Sequence, residues 1–269
     1  MLPSLLSFSN KKNSDHVAKS RIADSATQNY FSYLPGEEVL RNLFSEAYVI
    51  NKPLDTVGGD GYWIYNNNHQ VFLVAFDCMG HGRLASMMTR VYIDHLQEII
   101  CNDQQHDPAK ILAEIHQRIQ AQFENKDKLQ IGIGADMAII QYDQKQQSLK
   151  YSGAKMDLFK VDKLGKSTRI KACKRSLGTY FEYDRNYETT TVGFDNNDRF
   201  YLFSDGITDL FGGAKNKKIG LKGFVKMLEE SSGNYLNPDT EKSIINEKLT
   251  RWSGNQTRMD DMLLISFKP

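Results

Sequence analysis

The apolar run Val71–Phe76 closes on an aspartate, Asp77, and it follows Tyr62–Tyr65 and the polar stretch Asn66-Asn67-Asn68. Two β-prone runs joined by a turn read as a hairpin whose second strand is buried. A strand-like Tyr48–Ile50 precedes it. Met137–Tyr142, Leu149–Ser152, Met156–Val161, Tyr187–Val192 and Arg199–Phe203 are further short β-branched or aromatic runs, parted by turn signals such as Asp143-Gln144-Lys145 and Leu164-Gly165-Lys166. A last strand is expected at Leu263–Phe267. Helical spacing covers residues 84–101, 108–123 with Asp107 as N-cap, about 221–231 and 239–252. Strand runs at both ends with helix pairs between them predict an α/β chain: two mainly antiparallel sheets packed together and flanked by helices.

Ahead of the domain, residues 9–34 are polar and aperiodic and read as an arm. Val39, Leu40, Leu43, Phe44 and Ala47 then recur at helical spacing, with Glu37 and Glu38 in the first turn. Residues 1–46 are therefore read as an arm with a helical extension, and 47–269 as the main folded domain. The amphipathic stretch Glu37–Ala47 also offers a surface on which two subunits could pair as a homodimer.

Lys and Arg total 34 against 33 Asp and Glu, a balance that argues against nucleic acid and against a polybasic membrane patch. Cys78, Cys101 and Cys173 are odd in number and irregularly spaced, which suits neither a disulfide framework nor a zinc set. Met1–Phe8 lacks a basic start and is interrupted by Pro3, Ser4 and Ser7. It is no secretory leader, and no stretch reaches the roughly 18 to 20 apolar residues of a membrane span. A soluble cytoplasmic protein is expected.

Four acidic sites share one setting. Asp60 follows Val57-Gly58-Gly59 just before a strand, and Asp77 ends the buried strand; Asp205 follows Tyr201-Leu202-Phe203-Ser204, and Asp260-Asp261 precede the last strand. Any one alone is more often a turn former or a cap. Together at converging strand ends, carboxylates repel unless hard cations such as Mg²⁺ or Mn²⁺ neutralise them. Gly58, Gly59, Gly80, Gly82 and Gly206 leave room beside them for water and a phosphate. Two ions about 3.5 to 4 Å apart would activate a water for attack on phosphorus. Asp261 competes with Asp260 as ligand. Asp209 is read as a turn cap in preference to a third-metal contact, and Asp136 equally as a turn residue.

At these residues the chain resembles the PPM-type (type 2C) metal-dependent phosphatases, and more closely their stage II sporulation protein E branch. The resemblance is carried by Val57-Gly58-Gly59-Asp60-Gly61-Tyr62-Trp63, Asp77-Cys78-Met79-Gly80-His81-Gly82, Phe203-Ser204-Asp205-Gly206-Ile207-Thr208-Asp209-Leu210-Phe211-Gly212-Gly213 and Asp260-Asp261-Met262. Tyr151-Ser152-Gly153-Ala154, Lys217-Lys218 and Trp252-Ser253-Gly254 with Gln256 add support. It implies a β-sandwich between helical layers and a serine/threonine protein phosphatase acting on a small bacterial regulator of the anti-sigma-factor-antagonist kind. It further implies that Asp77 bridges two metals, that the Cys78 carbonyl binds one and Asp205 with Asp260 the other, and that Asp60 binds directly or through water. On this resemblance Asp77 and Asp205 are expected to be the central catalytic pair.

The chain departs from the pattern at Gly61, where relatives commonly carry an aromatic residue, and at Arg83-Leu84-Ala85-Ser86, where a proline-containing stretch is usual. Both departures bear on substrate docking. Met79 occupies the place of the animal-type histidine, and His81 is read as a turn residue. Gly80-His81-Gly82-Arg83-Leu84-Ala85 also matches a dinucleotide fingerprint, but an Asp at the strand end would repel a pyrophosphate. The competing reading from another class is a catalytically silent module that keeps the fold and binds a phosphorylated partner.

Overall fold

The computed structural model describes residues 32–80, 82–123, 133–179, 186–232 and 237–269. The expected arm lies almost wholly outside the described residues, as does His81.

The pattern of β3 (Gln70–Cys78) organises the molecule. Successive strand residues face opposite sides. Val71, Leu73 and Ala75 pack with Phe200, Leu202, Leu263 and Ile265, which forms the layer between two sheets. Phe72, Val74 and Phe76 pack with Met88, Tyr92, Ile111 and Ile115 of two covering helices. A strand apolar on both faces is stable only inside such a four-layer stack.

One five-stranded sheet runs β2-β3-β4-β5-β8, with β2 Asp60–Asn67, β4 Ala135–Asp143, β5 Ser148–Ala154 and β8 Thr190–Val192. The other runs β1-β12-β9-β6-β7, with β1 Glu46–Lys52, β6 Leu158–Val161, β7 Ser167–Ile170, β9 Arg199–Phe203 and β12 Met262–Lys268. The ladders of both sheets are antiparallel, as expected from successive hairpins. Helices α2 (Gly82–Leu96) and α3 (Pro108–Phe123) cover the first sheet. After β9 comes the single turn α4 (Asp205–Thr208), then a two-stranded ribbon of β10 (Phe211–Gly212) and β11 (Lys217–Lys218). Helices α5 (Gly220–Ser232) and α6 (Pro238–Ser253) cover the second sheet through Phe224, Leu228, Ile245 and Leu249.

Several boundaries differ from expectation for local reasons. The helix leading into the domain, α1, spans only Glu37–Leu43. Phe44 turns extended and Ala47 pairs with Phe267, because the ladder to β12 claims that backbone. Leu40 and Phe44 are buried in the intersheet layer, so the amphipathic pattern that offered a pairing surface is accounted for within one chain. The hairpin loop is Asn68-His69, with Asn66 and Asn67 already paired and Asn68 at φ 58°. Residues 97–102 continue α2 as a π-helical turn. Asp107 caps α3 by accepting from the Lys110 amide at 3.0 Å. Tyr187 lies in the core beneath α3 instead of beginning a strand, and β8 starts at Thr190. The short edge strand β7 was not anticipated, since half-exposed Ser167–Ile170 carries no apolar alternation.

Candidate active site

The strand register brings the acids together. Asp60 on β2 is the cross-strand partner of Asp77 on β3, and Asp77 is the partner of Asp136 on β4. Residues directly opposite in adjacent strands present their side chains to one face. Three carboxylates therefore stand abreast at one end of this sheet. Asp136 is thus a strand residue facing the site, not a turn former; its position at the start of the Met137–Tyr142 run repeats the setting of Asp60 and was the signal available in the sequence.

The second sheet delivers the remaining acids to the same end. β9 runs into Ser204, whose hydroxyl donates to Asp60 Oδ2 at 2.5 Å and accepts from the Leu263 amide at 2.9 Å. Ser204 thereby ties the mouth of one sheet to the other. Asp205 opens α4 as an exposed residue whose carboxylate is nevertheless partly desolvated among the neighbouring acids. Gly206 packs so closely on β12 that an added Cβ would stand 1.7 Å from the Asp261 carbonyl oxygen and 3.3 Å from Asp260 Cβ. Only glycine permits that approach.

Asp260 and Asp261 separate in role. Asp261 is buried, and its Oδ1 and Oδ2 accept from the backbone amides of Leu54 and Gly59, each at 2.6 Å. It clamps the loop before Asp60. Asp260 is only half-buried, and its Oδ1 accepts from the Asp261 amide at 2.9 Å.

The electrostatics single out Asp77. Burial raises its pKa well above the usual carboxylate range, and the charges of Asp60, Asp205, Asp136 and Asp260 push it the same way. Asp60 is likewise held high, by burial first, with Asp261, Asp260 and Asp205 adding to it against the opposing Ser204 hydrogen bond. At Asp205 burial and then Asp209 raise the pKa, while Lys155 and Lys218 oppose. Asp209, expected as a cap, closes α4 with its amide donating to the Asp205 carbonyl at 2.7 Å, and its carboxylate also holds Lys218 Nζ at 2.6 Å.

Cys78 contributes no thiol to this array. Its side chain is buried in the core beneath α2, 3.8 Å from Thr89 Oγ1, and burial raises its pKa well above the ordinary value. Its carbonyl faces Gly59, where an added Cβ would stand 2.6 Å away. At Gly61 an added Cβ would meet the Phe76 ring at 2.6 Å and Leu34 at 3.1 Å, so those side chains occupy the space an aromatic residue would need.

A cleft of about 180 Å³ opens here, lined among others by Asp77, Asp136, Asp205, Ser204, Thr208 and Lys155. Lys155 was not marked by its sequence. It sits at φ 59° at the centre of a three-residue turn closed by the Met156 amide on the Ala154 carbonyl at 2.8 Å, and its ammonium is 4.0 Å from Asp136 Oδ1. A lysine at positive φ is uncommon and is retained only where the surroundings impose it.

Among the described residues, no three His, Cys, Asp or Glu side chains converge closely enough to hold a metal by themselves. The donor set still suits a hard cation: carboxylate oxygens that raise one another's pKa, beside an open cleft. Mg²⁺ in particular keeps several of its waters and takes only one or two carboxylates.

A search of curated proteins by sequence finds no match. Among solved structures, the SiaA-PP2C domain of Pseudomonas aeruginosa is similar with a TM-score of 0.82 and 25% identity, covering 94% of this chain and 98% of that one. The PP2C phosphatase domain with a regulatory fragment of SpoIIE from Bacillus subtilis gives 0.66 at 16% identity, over 83% of this chain and 63% of that one. RsbX in complex with magnesium gives 0.55 at 16% identity, over 82% and 92%. The latter two show the shared fold. The model of the family described as stage II sporulation protein E (SpoIIE) matches residues 67–269, three quarters of the sequence, and the chain therefore belongs to that family of PP2C-type phosphatase domains.

Proposed function

We propose that this chain is a divalent-metal-dependent phosphatase that removes phosphate from a phosphoserine or phosphothreonine of a small regulatory protein. The observation that carries the reading is the row Asp60, Asp77 and Asp136, with Asp205 and Asp260 brought up to it by the other sheet. Asp77, Asp205, Asp260 and the Cys78 carbonyl, with Asp60 directly or through water, would hold two Mg²⁺ or Mn²⁺ ions. Bound there, the ions would neutralise the carboxylates, polarise the phosphoryl group and lower the pKa of an attacking water.

The chain's own residues do the rest. Ser204 fixes the Asp60 carboxylate from the opposite sheet, and Asp261 fixes the loop before it. Lys155 is the cation facing the cleft, suited to receive phosphoryl oxygens as negative charge accumulates. Family membership supports a phosphorylated regulator as substrate. Cys78, Cys101 and Cys173 form no disulfide with one another, which supports a reducing, cytoplasmic setting.

The test is phosphate release from phosphopeptides and p-nitrophenyl phosphate with Mn²⁺, comparing wild type with Asp205→Asn. Because Asp205 is exposed, the variant should fold normally and lose activity by at least about 100-fold. Wild-type protein that binds phosphopeptide but releases no phosphate would favour a silent binding module.

A further inference from the structure

The active-site cleft does not end at Lys155. Lys155 and Asp157 also line a second groove, of about 410 Å³, together with Arg169, Lys171 and Lys174. Four cations thus face one carboxylate in a chain whose overall charge is only +1. That carboxylate is already engaged: Asp157 accepts from Arg169 Nε at 2.6 Å and from the Ala172 amide at 2.7 Å. Lys171 and Lys174 are exposed and make no ion pair among the described residues.

The simpler account of lysines here is protection of a sheet edge, since β7 has a neighbour on one side only. Edge protection requires no continuity with a catalytic cleft and no strained backbone at the junction. This groove has both, because Lys155 and Asp157 line the two cavities together, Lys155 sits at φ 59°, and the Lys155 amide donates to the Cys173 carbonyl at 2.7 Å. The turn that carries the cleft's cation is thereby fastened to the segment that carries Lys171 and Lys174.

We propose that this basic groove binds acidic residues flanking the phosphorylated side chain, so that the preferred substrate is a phosphoprotein with Asp or Glu beside its phosphoserine or phosphothreonine. The proposal rests on the phosphatase reading for its setting, but the groove's charge is testable without turnover. Attraction between exposed charges acts on encounter and affinity more than on the chemical step, and it is screened by salt.

The experiment uses the full chain with Mn²⁺, as wild type and as the double variant Lys171→Glu/Lys174→Glu, with circular dichroism to confirm folding. Three probes are compared: a phosphoserine peptide flanked by Asp and Glu, the same peptide flanked by Ala, and p-nitrophenyl phosphate, which reaches only the cleft. Wild type should favour the acidic peptide by about 10-fold in kcat/KM, through KM, and lose most of that preference between about 50 and 500 mM salt. The double variant should lose the preference while turning over p-nitrophenyl phosphate at the wild-type rate. Equal treatment of the two peptides by wild type, with p-nitrophenyl phosphate turnover intact, would overturn the groove and leave the phosphatase reading standing. If wild type hydrolyses none of the probes, the phosphatase reading fails. The groove is then judged by fluorescence anisotropy of the labelled acidic peptide: weaker binding to the double variant sustains it, and equal binding refutes it.

Discussion

At the scale of single residues, adjacent aspartates divide the work. Asp261 gives both oxygens to backbone amides, whereas the half-buried Asp260 carboxylate lies among those that act on Asp77. Asp261→Ala strands two amides and should cost about 3 kcal/mol by urea denaturation. Asp260→Asn should leave stability within about 1 kcal/mol and reduce phosphate release by at least about 10-fold. The opposite pattern would exchange their roles. The sequence showed both as acids at a strand mouth, because a strand followed by turn chemistry is a local signal. Which oxygen faces an amide from residues 54 and 59 depends on a loop about 200 positions away, beyond any local pattern. Lys155 was hidden for a related reason: its positive φ goes with the Met156 amide donating to the Ala154 carbonyl and its own amide donating to the Cys173 carbonyl, and no residue type marks it.

Among elements, the joint between α4 and β12 is the most demanding contact at the site. Gly206→Ala would place a methyl carbon 1.7 Å from the Asp261 carbonyl oxygen, an approach that neither backbone can accept. The expected outcome is a loss of about 3 kcal/mol or more in stability, together with loss of phosphatase activity, since Asp205 and Asp260 flank that joint. Calorimetry and phosphate release measured on the same preparation would check it; unchanged melting would mean that the two elements are free to part. The long helices and central strands were legible because their apolar periods are strong. The short β7 and the early end of α1 were not, because ladder pairing with β6 and β12 outweighs local preference there.

Across the whole molecule, stability should carry a pH signature remote from the acids. His116 on α3 is buried, accepts from the Gly178 amide on Nδ1 at 3.1 Å, and meets the Arg175 guanidinium at Nε2. Burial and then Arg175 lower its pKa to about 4. The unfolded chain takes up that proton near 6.5, so the contribution is complete above about pH 6.5 and is lost as pH falls toward 4, by up to about 3 kcal/mol. Urea midpoints at several pH values should show this loss in wild type, and His116→Gln should remove it from the difference between the two curves. The neighbouring Ser176 hydroxyl donates to Asp136 Oδ1 at 2.5 Å, so the segment braced by His116 also reaches the cleft.

The sequence by itself determined the layer order and marked Asp60, Asp77, Asp205 and Asp260-Asp261 as acids at strand ends, because alternation along strands and helical spacing are short-range consequences of backbone geometry. Only the tertiary structure decided that Asp60, Asp77 and Asp136 stand in register, that Ser204 joins the two sheets, and that Lys155 links an acidic cleft to a basic groove. Each of these depends on which strand ends meet across the sandwich, and that is set by packing of the whole core.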